Sequence, residues 1–387
     1  MNKYIEKRKH KEDKPVVAIC YDFDKTLSPT DMQAQGYIQA VKYDVTQFWD
    51  ESNELAEKND MDQNLAYMYM MKAKSEGKVL FTKDELAKCG ATVQLFKGVD
   101  TWFDRINRYG EEKGVIIEHY IISSGLKEMI EGTSIAGAFE KIYASSFYFD
   151  ANGVAVWPAQ VVNYTNKTQF LFRIEKGTLD INDTGVNDSF EPNEIRIPFR
   201  NMIYIGDSDT DIPCMKLVTV NGGNAIAVYN PETKDKAKAY KMMRERRIKF
   251  FAAADYSDGE ELDSLVKTII DRTKTNETLE EWHYKQKKEQ NTKDIEQGDE
   301  KRKRIDLIME LDSSRSYVMT HIAIAKLKGF DSWDSEERET LFEIAIKNSQ
   351  VYGVLNDSDV KSFYKTLLEN SKTLSKNARA IKKIIEE

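Results

Sequence analysis

Short apolar runs that end abruptly in polar residues recur along the first two thirds of the chain. The first, residues 16–21, is continuously apolar and predicts a strand buried on both faces, as in a parallel sheet. Residues 119–122, 202–205 and 224–229 repeat this pattern, and residues 249–253 predict a closing strand. Apolar residues between these runs fall at helical spacing. Strands that alternate with helices predict an α/β fold, a doubly wound parallel sheet with helices on both faces.

A helical segment is predicted directly after the first strand. The apolar residues of 45–56 share one helix face, with Asp44 as the predicted N-cap. Further helices are expected over 62–75 and 82–90, so residues 31–96 predict a helical insertion. The tyrosines and methionines of 67–71 suit either a substrate mouth or packing against neighbouring helices, and packing is the simpler interpretation.

Residues 142–272 have less regular patterning. Residues 142–149 and 154–157 predict a β-hairpin across an Asp-Ala-Asn-Gly turn. Residues 179–200 are polar and irregular, which predicts a long loop or a small hairpin. The last helix of the sheet domain is expected over 260–272.

The composition changes beyond residue 273. Residues 273–304 are charge-dense and predict a linker or a solvated helix. Amphipathic helices are then expected over 305–327, 334–352 and 357–384, with Asp334 and Glu337 as a capping pair. These helices must bury their apolar stripes in a bundle, on the sheet domain, or against a second copy or another protein.

Composition excludes several classes of protein. The chain has 387 residues and a net charge of −8, which argues against a broad nucleic-acid surface. Its three cysteines form neither a metal motif nor a disulfide framework,. It contains neither a signal-peptide pattern nor an apolar stretch long enough to span a membrane. The sequence therefore predicts a cytoplasmic protein with no membrane partner.

Acidic residues follow two of the predicted strands. Asp22 and Asp24 end the first strand, and Asp207, Asp209 and Asp211 follow residues 202–205. In open α/β sheets, ligands bind outside the carboxyl ends of the strands. Three acids within five residues repel one another unless a cation is present, and Mg²⁺ prefers oxygen ligands. The pattern favours a cation-assisted site with a carboxylate nucleophile.

Two further signals are weak by themselves. Ser123, Ser124 and Gly125 end a predicted strand just before a helix, where a hydroxyl and backbone N–H groups can hold a phosphoryl oxygen. Lys167 lies at the start of a predicted helix, where a lysine is usually only solvated.

Together, these residues resemble four motifs of the haloacid dehalogenase superfamily of phosphotransferases. Asp-Phe-Asp-Lys-Thr-Leu, residues 22–27, is similar to the first motif. Ser123 matches the second, Lys167 the third, and Gly-Asp-x-x-x-Asp over 206–211 the fourth. The motifs occur in the superfamily's order, and the resemblance covers residues 14–272. It implies a cap inserted after the first motif and is strongest to the phosphoserine-phosphatase-like branch.

The resemblance also implies roles. Asp22 would form an aspartyl-phosphate, and Asp24 would act as general acid and base. The implied phosphate-binding groups are Ser123, the Ser124 N–H and Lys167. The implied Mg²⁺ ligands are Asp22, the Asp24 main-chain carbonyl and Asp207. Asp211 would order the metal's waters or Lys167.

These inferences predict a Mg²⁺-dependent phosphomonoester hydrolase that acts on a small phosphorylated metabolite. The alternative is a regulatory or partner-binding protein whose core acts on a macromolecular phosphate, such as a nucleic-acid end or a phosphoprotein. The predicted domains are a catalytic core (14–30 and 97–272), a cap (31–96) and a helical C-terminal module (273–387).

Overall fold

A computed structural model of the chain describes residues 11–207, 209–296, 300–371 and 374–386. The chain divides into two compact units between Glu281 and Trp282. None of the described helices is both long and apolar enough to cross a membrane.

The N-terminal unit is built on one sheet, whose strands are β1 (Val16–Tyr21), β2 (Ile116–Leu126), β3 (Lys141–Phe149), β4 (Ala155–Gln160), β5 (Met202–Gly206), β6 (Asn224–Tyr229) and β7 (Phe250–Ala253). Their order is β4-β3-β2-β1-β5-β6-β7. Neighbouring strands are parallel except β3 and β4, which form the predicted antiparallel hairpin. The predicted α/β fold with a mostly parallel sheet is confirmed.

Helices surround this sheet and continue beyond the unit. They are α1 (Met32–Gln35), α2 (Tyr37–Ala40), α3 (Val45–Lys58), α4 (Gln63–Ser75), α5 (Lys83–Ala91), α6 (Val99–Lys113), α7 (Lys127–Gly132), α8 (Thr168–Lys176), α9 (Ile212–Val220), α10 (Ala237–Arg244) and α11 (Glu261–Glu296). The prediction that the last core helix ends at residue 272 is wrong. Residues 261–296 contain no glycine or proline that would stop the helix,.

The central strand β1 divides the core into two layers. Its side chains alternate, so Val17 and Ile19 join one hydrophobic cluster while Ala18 and Cys20 join the other. The first cluster includes residues of α6 and α11, and the second includes residues of α8, α9 and α10. Because β1 is buried on both faces, the acids that follow it lie at the centre of the sheet's edge.

The helical insertion shares its core with one face of the sheet. Phe48 of α3, Met68 of α4 and Leu86 of α5 are buried in the same cluster as Val17. The predicted cap at the start of α3 is present, since the Asp44 carboxylate accepts the Gln47 N–H at 2.8 Å. The exact limits of the core and cap domains stay a prediction.

The segment 179–200 is a loop with two short 3₁₀ turns and no strand. The Arg173 guanidinium of α8 donates to the carbonyl oxygens of Asp180, Ile181 and Asp183. The loop is therefore tied to the helix that precedes it.

The C-terminal unit is helical, with α12 (Glu300–Asp312), α13 (Tyr317–Leu327), α14 (Ser335–Lys347), α15 (Ser349–Gly353), α16 (Ser358–Glu369) and α17 (Lys376–Glu386). The Asp334–Glu337 capping box forms as predicted. Each of the three long helices that were predicted is divided into two. Ser316 and Asn348 cap new helices within the first and the second,. The third is divided into α16 and α17. Leu341, Ile344 and Ala345 lie in a hydrophobic cluster made of this unit's own residues.

Leu341 is fully buried in that cluster. We expect Leu341→Ala to lower the free energy of unfolding of the C-terminal unit by about 2–5 kcal/mol, because it leaves a cavity. Hydrogen exchange followed by mass spectrometry on peptides of 300–386 would measure the loss. Val318→Ala is the matched control, since Val318 is 68% exposed, and a change above about 0.5 kcal/mol is not expected there. An equal effect of the two variants would contradict the assigned core.

Candidate active site

Asp22 is held at the end of β1 by backbone contacts. Its N–H donates to the Ile205 carbonyl of β5 at 3.0 Å, and its Oδ1 accepts the Phe23 N–H at 2.8 Å. Its side chain is only 9% exposed. The carboxylate is thus fixed between two central parallel strands.

A tight turn places Asp24 beside it. The Phe23 carbonyl oxygen accepts the N–H groups of the three residues 26–28. Lys25 adopts a left-handed conformation with φ of 59°, which is uncommon for a residue with a side chain. The Asp24 Oδ1 accepts the Met32 N–H at 2.8 Å, so the first residue of α1 fixes this second carboxyl group.

Lys167 is completely buried between two carboxylates. Its Nζ lies 2.8 Å from Asp211 Oδ1 and 3.3 Å from Asp22 Oδ2. The Tyr204 hydroxyl donates to the same Asp211 Oδ1 at 2.8 Å. Lysine, tyrosine and aspartate therefore form a rigid support directly behind Asp22.

The serine pair lies on the other side of Asp22. Ser123 is buried, accepts the Gly125 N–H at 3.1 Å, and acts to lower the pKa of Asp22. The predicted end of this strand at residue 122 is wrong, since β2 continues to Leu126 with a register shift after Ile122. A Cβ at Gly125 would lie 2.3 Å from Met32 Cε, the end of a flexible side chain that would have to move, and 3.2 Å from Asp24 Oδ2.

Three carboxylates converge at the end of β5 and β1. Asp22, Asp207 and Asp211 each offer an oxygen, and these oxygens lie within 4.8 Å of one another. Gly206 permits this approach, because a Cβ there would lie 2.5 Å from Asp211 Oδ2. This group can hold a metal ion.

Burial and mutual repulsion raise the pKa of two of these carboxylates. Burial, with the charges of Asp211 and Asp22, raises the pKa of Asp207 to about 8. Burial and the Asp211 charge raise the pKa of Asp22 to about 6, although Lys167 opposes this shift. Carboxylate oxygens that are this poorly neutralised fit a hard divalent cation such as Mg²⁺.

Asp24 and Lys167 both favour their protonated forms, which leaves Asp24 neutral and Lys167 positively charged. Burial, followed by the charges of Asp31 and Asp22, raises the pKa of Asp24 well above its usual value. Burial by itself would lower the pKa of Lys167, but the Asp211 and Asp22 charges outweigh it and hold this pKa above its usual range. Asp24 is therefore disposed to carry a proton, and Lys167 to stay charged.

A cavity of about 580 Å³ lies above these groups. Asp22, Asp24, Ser123, Ser124 and Asp207 line its floor. Its upper wall comes largely from the helical insertion, with Trp49, Met61, Asp62, Asn64 and Tyr67. The site is thus a partly open cavity between the end of the sheet and the helical insertion.

The structure brings together all the residues that the sequence singled out. Lys167 and Asp211 lie behind the cavity and the others line it. Sequence reasoning missed Tyr204, because no motif distinguishes it from the other residues of its apolar strand. It left Tyr67 undecided between packing and a substrate mouth; the side chain is buried, lines the cavity, and donates to the Ser124 carbonyl at 2.8 Å.

Comparison with known proteins gives one curated relative. No family model matches the chain. An uncharacterized protein of Borreliella burgdorferi is 28% identical over 279 residues, which are 65% of this chain and 95% of that protein.

Several solved structures are similar in fold. A HAD family hydrolase from Salmonella enterica serovar Typhi has a TM-score of 0.40 and 18% identity, covering 58% of this chain and 67% of that one. A probable phosphoserine phosphatase from Vibrio cholerae has a TM-score of 0.42 and 13% identity, covering 70% of this chain and 69% of that one. A phospho-aspartyl intermediate analogue of phosphoserine phosphatase has a TM-score of 0.38 and 13% identity, covering 66% of this chain and 99% of that one. Any activity of this chain must be argued from the site itself.

The raised pKa of Asp207 generates a prediction for the metal-free protein. The pKa of Asp207 is about 8 in the folded protein and near 4 in the unfolded chain. As pH rises between these values, the unfolded chain releases the proton and the folded protein keeps it, so the free energy of unfolding falls. We expect Asp207→Asn to raise the melting temperature in EDTA near pH 8, with a smaller gain at about pH 5. Differential scanning fluorimetry would measure both, and equal shifts at the two pH values would contradict the assigned burial.

Proposed function

We propose that this protein is a phosphomonoester hydrolase that uses Asp22 as a nucleophile and passes through an aspartyl-phosphate. The observation that carries the proposal is the placement of Lys167, whose buried ammonium contacts both Asp22 and Asp211. A lysine at this place offsets negative charge where a phosphoryl group would meet the nucleophile. The raised pKa of Asp207 and the three converging carboxylates support a cation beside it.

The first step joins an Asp22 carboxylate oxygen to phosphorus and breaks the bond to the leaving oxygen. Ser123 and the Ser124 N–H would hold the equatorial oxygens from one side and Lys167 from the other. Bound by Asp22, the Asp24 main-chain carbonyl and Asp207, Mg²⁺ would supply positive charge that offsets the phosphoryl oxygens. Asp211 keeps Lys167 in place from behind.

Asp24 would handle the protons of both steps. Its raised pKa supports a protonated carboxyl group, which can donate to the leaving alcohol oxygen,. The resulting carboxylate can then take a proton from the water that hydrolyses the aspartyl-phosphate. The Met32 N–H fixes the side chain for this exchange.

The size of the cavity and the wall contributed by the insertion support a small substrate. A volume of about 580 Å³ is ample for a phosphorylated metabolite. A macromolecular phosphate would have to enter beneath the helical insertion, whose Tyr67 is bonded to the Ser124 carbonyl. We therefore place a small phosphomonoester ahead of a nucleic-acid end or a phosphoprotein.

Asp22→Asn tests the nucleophile. With p-nitrophenyl phosphate and Mg²⁺, we expect kcat to fall at least about a hundredfold, a loss of about 2.7 kcal/mol in transition-state stabilisation. Asp209→Asn is a matched control, because Asp209 is an exposed acid of the same loop that does not line the cavity. A smaller loss in a folded Asp22→Asn protein, or no activity in the wild type, would refute the proposal.

Asp24→Asn tests the proton donor. An alkyl phosphate needs a proton on its leaving oxygen, whereas p-nitrophenolate leaves without one. In single-turnover phosphorylation, we expect the variant to slow the alkyl phosphate at least about tenfold more than p-nitrophenyl phosphate. Rapid-quench measurement of both released alcohols would show this, and equal slowing would exclude Asp24 as the acid.

A further inference from the structure

The cavity wall that would face a leaving alcohol has more acidic than basic side chains available to a ligand. Among the described residues that line the cavity there is no arginine, and the lysines are Lys25 and Lys238. Lys25 is neutralised by Asp31 at 3.0 Å, and the charge of Lys238 acts on Asp207. The described wall contributed by the insertion has two charged groups, Asp31, which is paired with Lys25, and Asp62.

Asp62 is held rigidly in this wall. Its Oδ1 accepts the N–H groups of Asn64 and Leu65 at 2.8 and 3.1 Å, as the N-cap of α4. Its Oδ2 accepts the Asn163 side-chain amide at 2.8 Å. No lysine or arginine forms an ion pair with it within the described part of the chain, so its negative charge remains available to a ligand.

Aromatic rings complete the same wall. Trp49 and Tyr67 meet edge to face, with ring centroids 5.9 Å apart and planes at 66°. The Tyr67 hydroxyl is occupied by the Ser124 carbonyl, which fixes the ring above the phosphate-binding loop. Both rings line the same cavity as Asp62, and an aromatic ring face attracts a cation,.

We propose that the preferred substrates are phosphate monoesters of short amino alcohols, with an ammonium group and no carboxylate on the leaving alcohol. This inference rests on the proposed function. The ammonium would lie between Asp62 and the Trp49 and Tyr67 rings while the phosphoryl group reaches Asp22. A carboxylate on the leaving alcohol would be repelled by Asp62, while Lys25 is paired with Asp31 and the charge of Lys238 acts on Asp207,.

Three substrates of similar size separate these effects. O-phosphoserine differs from 2-aminoethyl phosphate by a carboxylate, and 2-hydroxyethyl phosphate replaces the ammonium by a neutral hydroxyl. We expect kcat/KM for 2-aminoethyl phosphate to exceed that for each of the others by at least about tenfold. Equal values, or a preference for O-phosphoserine, would overturn the inference while leaving phosphatase activity established by p-nitrophenyl phosphate.

Asp62→Asn gives the decisive variant, because asparagine caps a helix as well as aspartate does but carries no charge. We expect it to bring the ratio of 2-aminoethyl to 2-hydroxyethyl phosphate close to one. Asp44→Asn, the same change at the N-cap of α3 and outside the cavity, should leave the ratio unchanged. An unchanged ratio in Asp62→Asn would overturn the role of Asp62.

Binding gives a readout that does not depend on turnover. In the Asp22→Asn protein, isothermal titration with Mg²⁺ present should show 2-aminoethyl phosphate binding at least about tenfold more tightly than 2-hydroxyethyl phosphate. Equal affinities would contradict the ammonium site even if the hydrolysis proposed above were also absent.

Discussion

The ion pair between Lys167 and Asp211 is the interaction on which the site depends. Both side chains are fully buried, and the Lys167 Nζ also lies 3.3 Å from Asp22. A buried charge is costly unless it is paired, and removal of one partner typically costs about 3–5 kcal/mol. The pair therefore fixes a positive charge behind the nucleophile, and its geometry depends on three segments that are distant in sequence.

Each of those segments is shaped by a simple local constraint. β1 and β5 are adjacent parallel strands, so Asp22 and Asp207 follow them at one edge of the sheet. Gly206 lets Asp211 approach, and the Tyr204 hydroxyl shares the Asp211 oxygen that binds Lys167. Burial, with the charges of Asp211 and Asp22, raises the pKa of Asp207, and a cation suits such a group of buried acids,.

The sequence predicts the fold and the residues of the site better than the limits of its elements. Apolar runs located the strands because strands buried on both faces have few polar residues, and the acids after them indicated the site's edge. The end of β2 was misplaced, since Ser123 and Ser124 look like a turn but continue the strand across a register shift. The end of α11 was misplaced because a change in composition does not stop a helix that lacks glycine and proline.

Some features require the three-dimensional structure. No local pattern brings Tyr67 from the insertion to the Ser124 carbonyl, or sets Trp49 against it, since these contacts depend on how the insertion packs on the sheet. The charge of the cavity wall is likewise a property of residues far apart in sequence.

The location of the phosphoryl group on the protein tests the central claim most directly. The protein would be mixed with Mg²⁺ and phosphate-labelled substrate, quenched in acid within milliseconds, digested and mapped by mass spectrometry. The account predicts a phosphoryl group on Asp22 that hydroxylamine removes, as expected of an acyl phosphate. A stable phosphoryl group on Ser123, or rapid turnover with no covalent label, would contradict it.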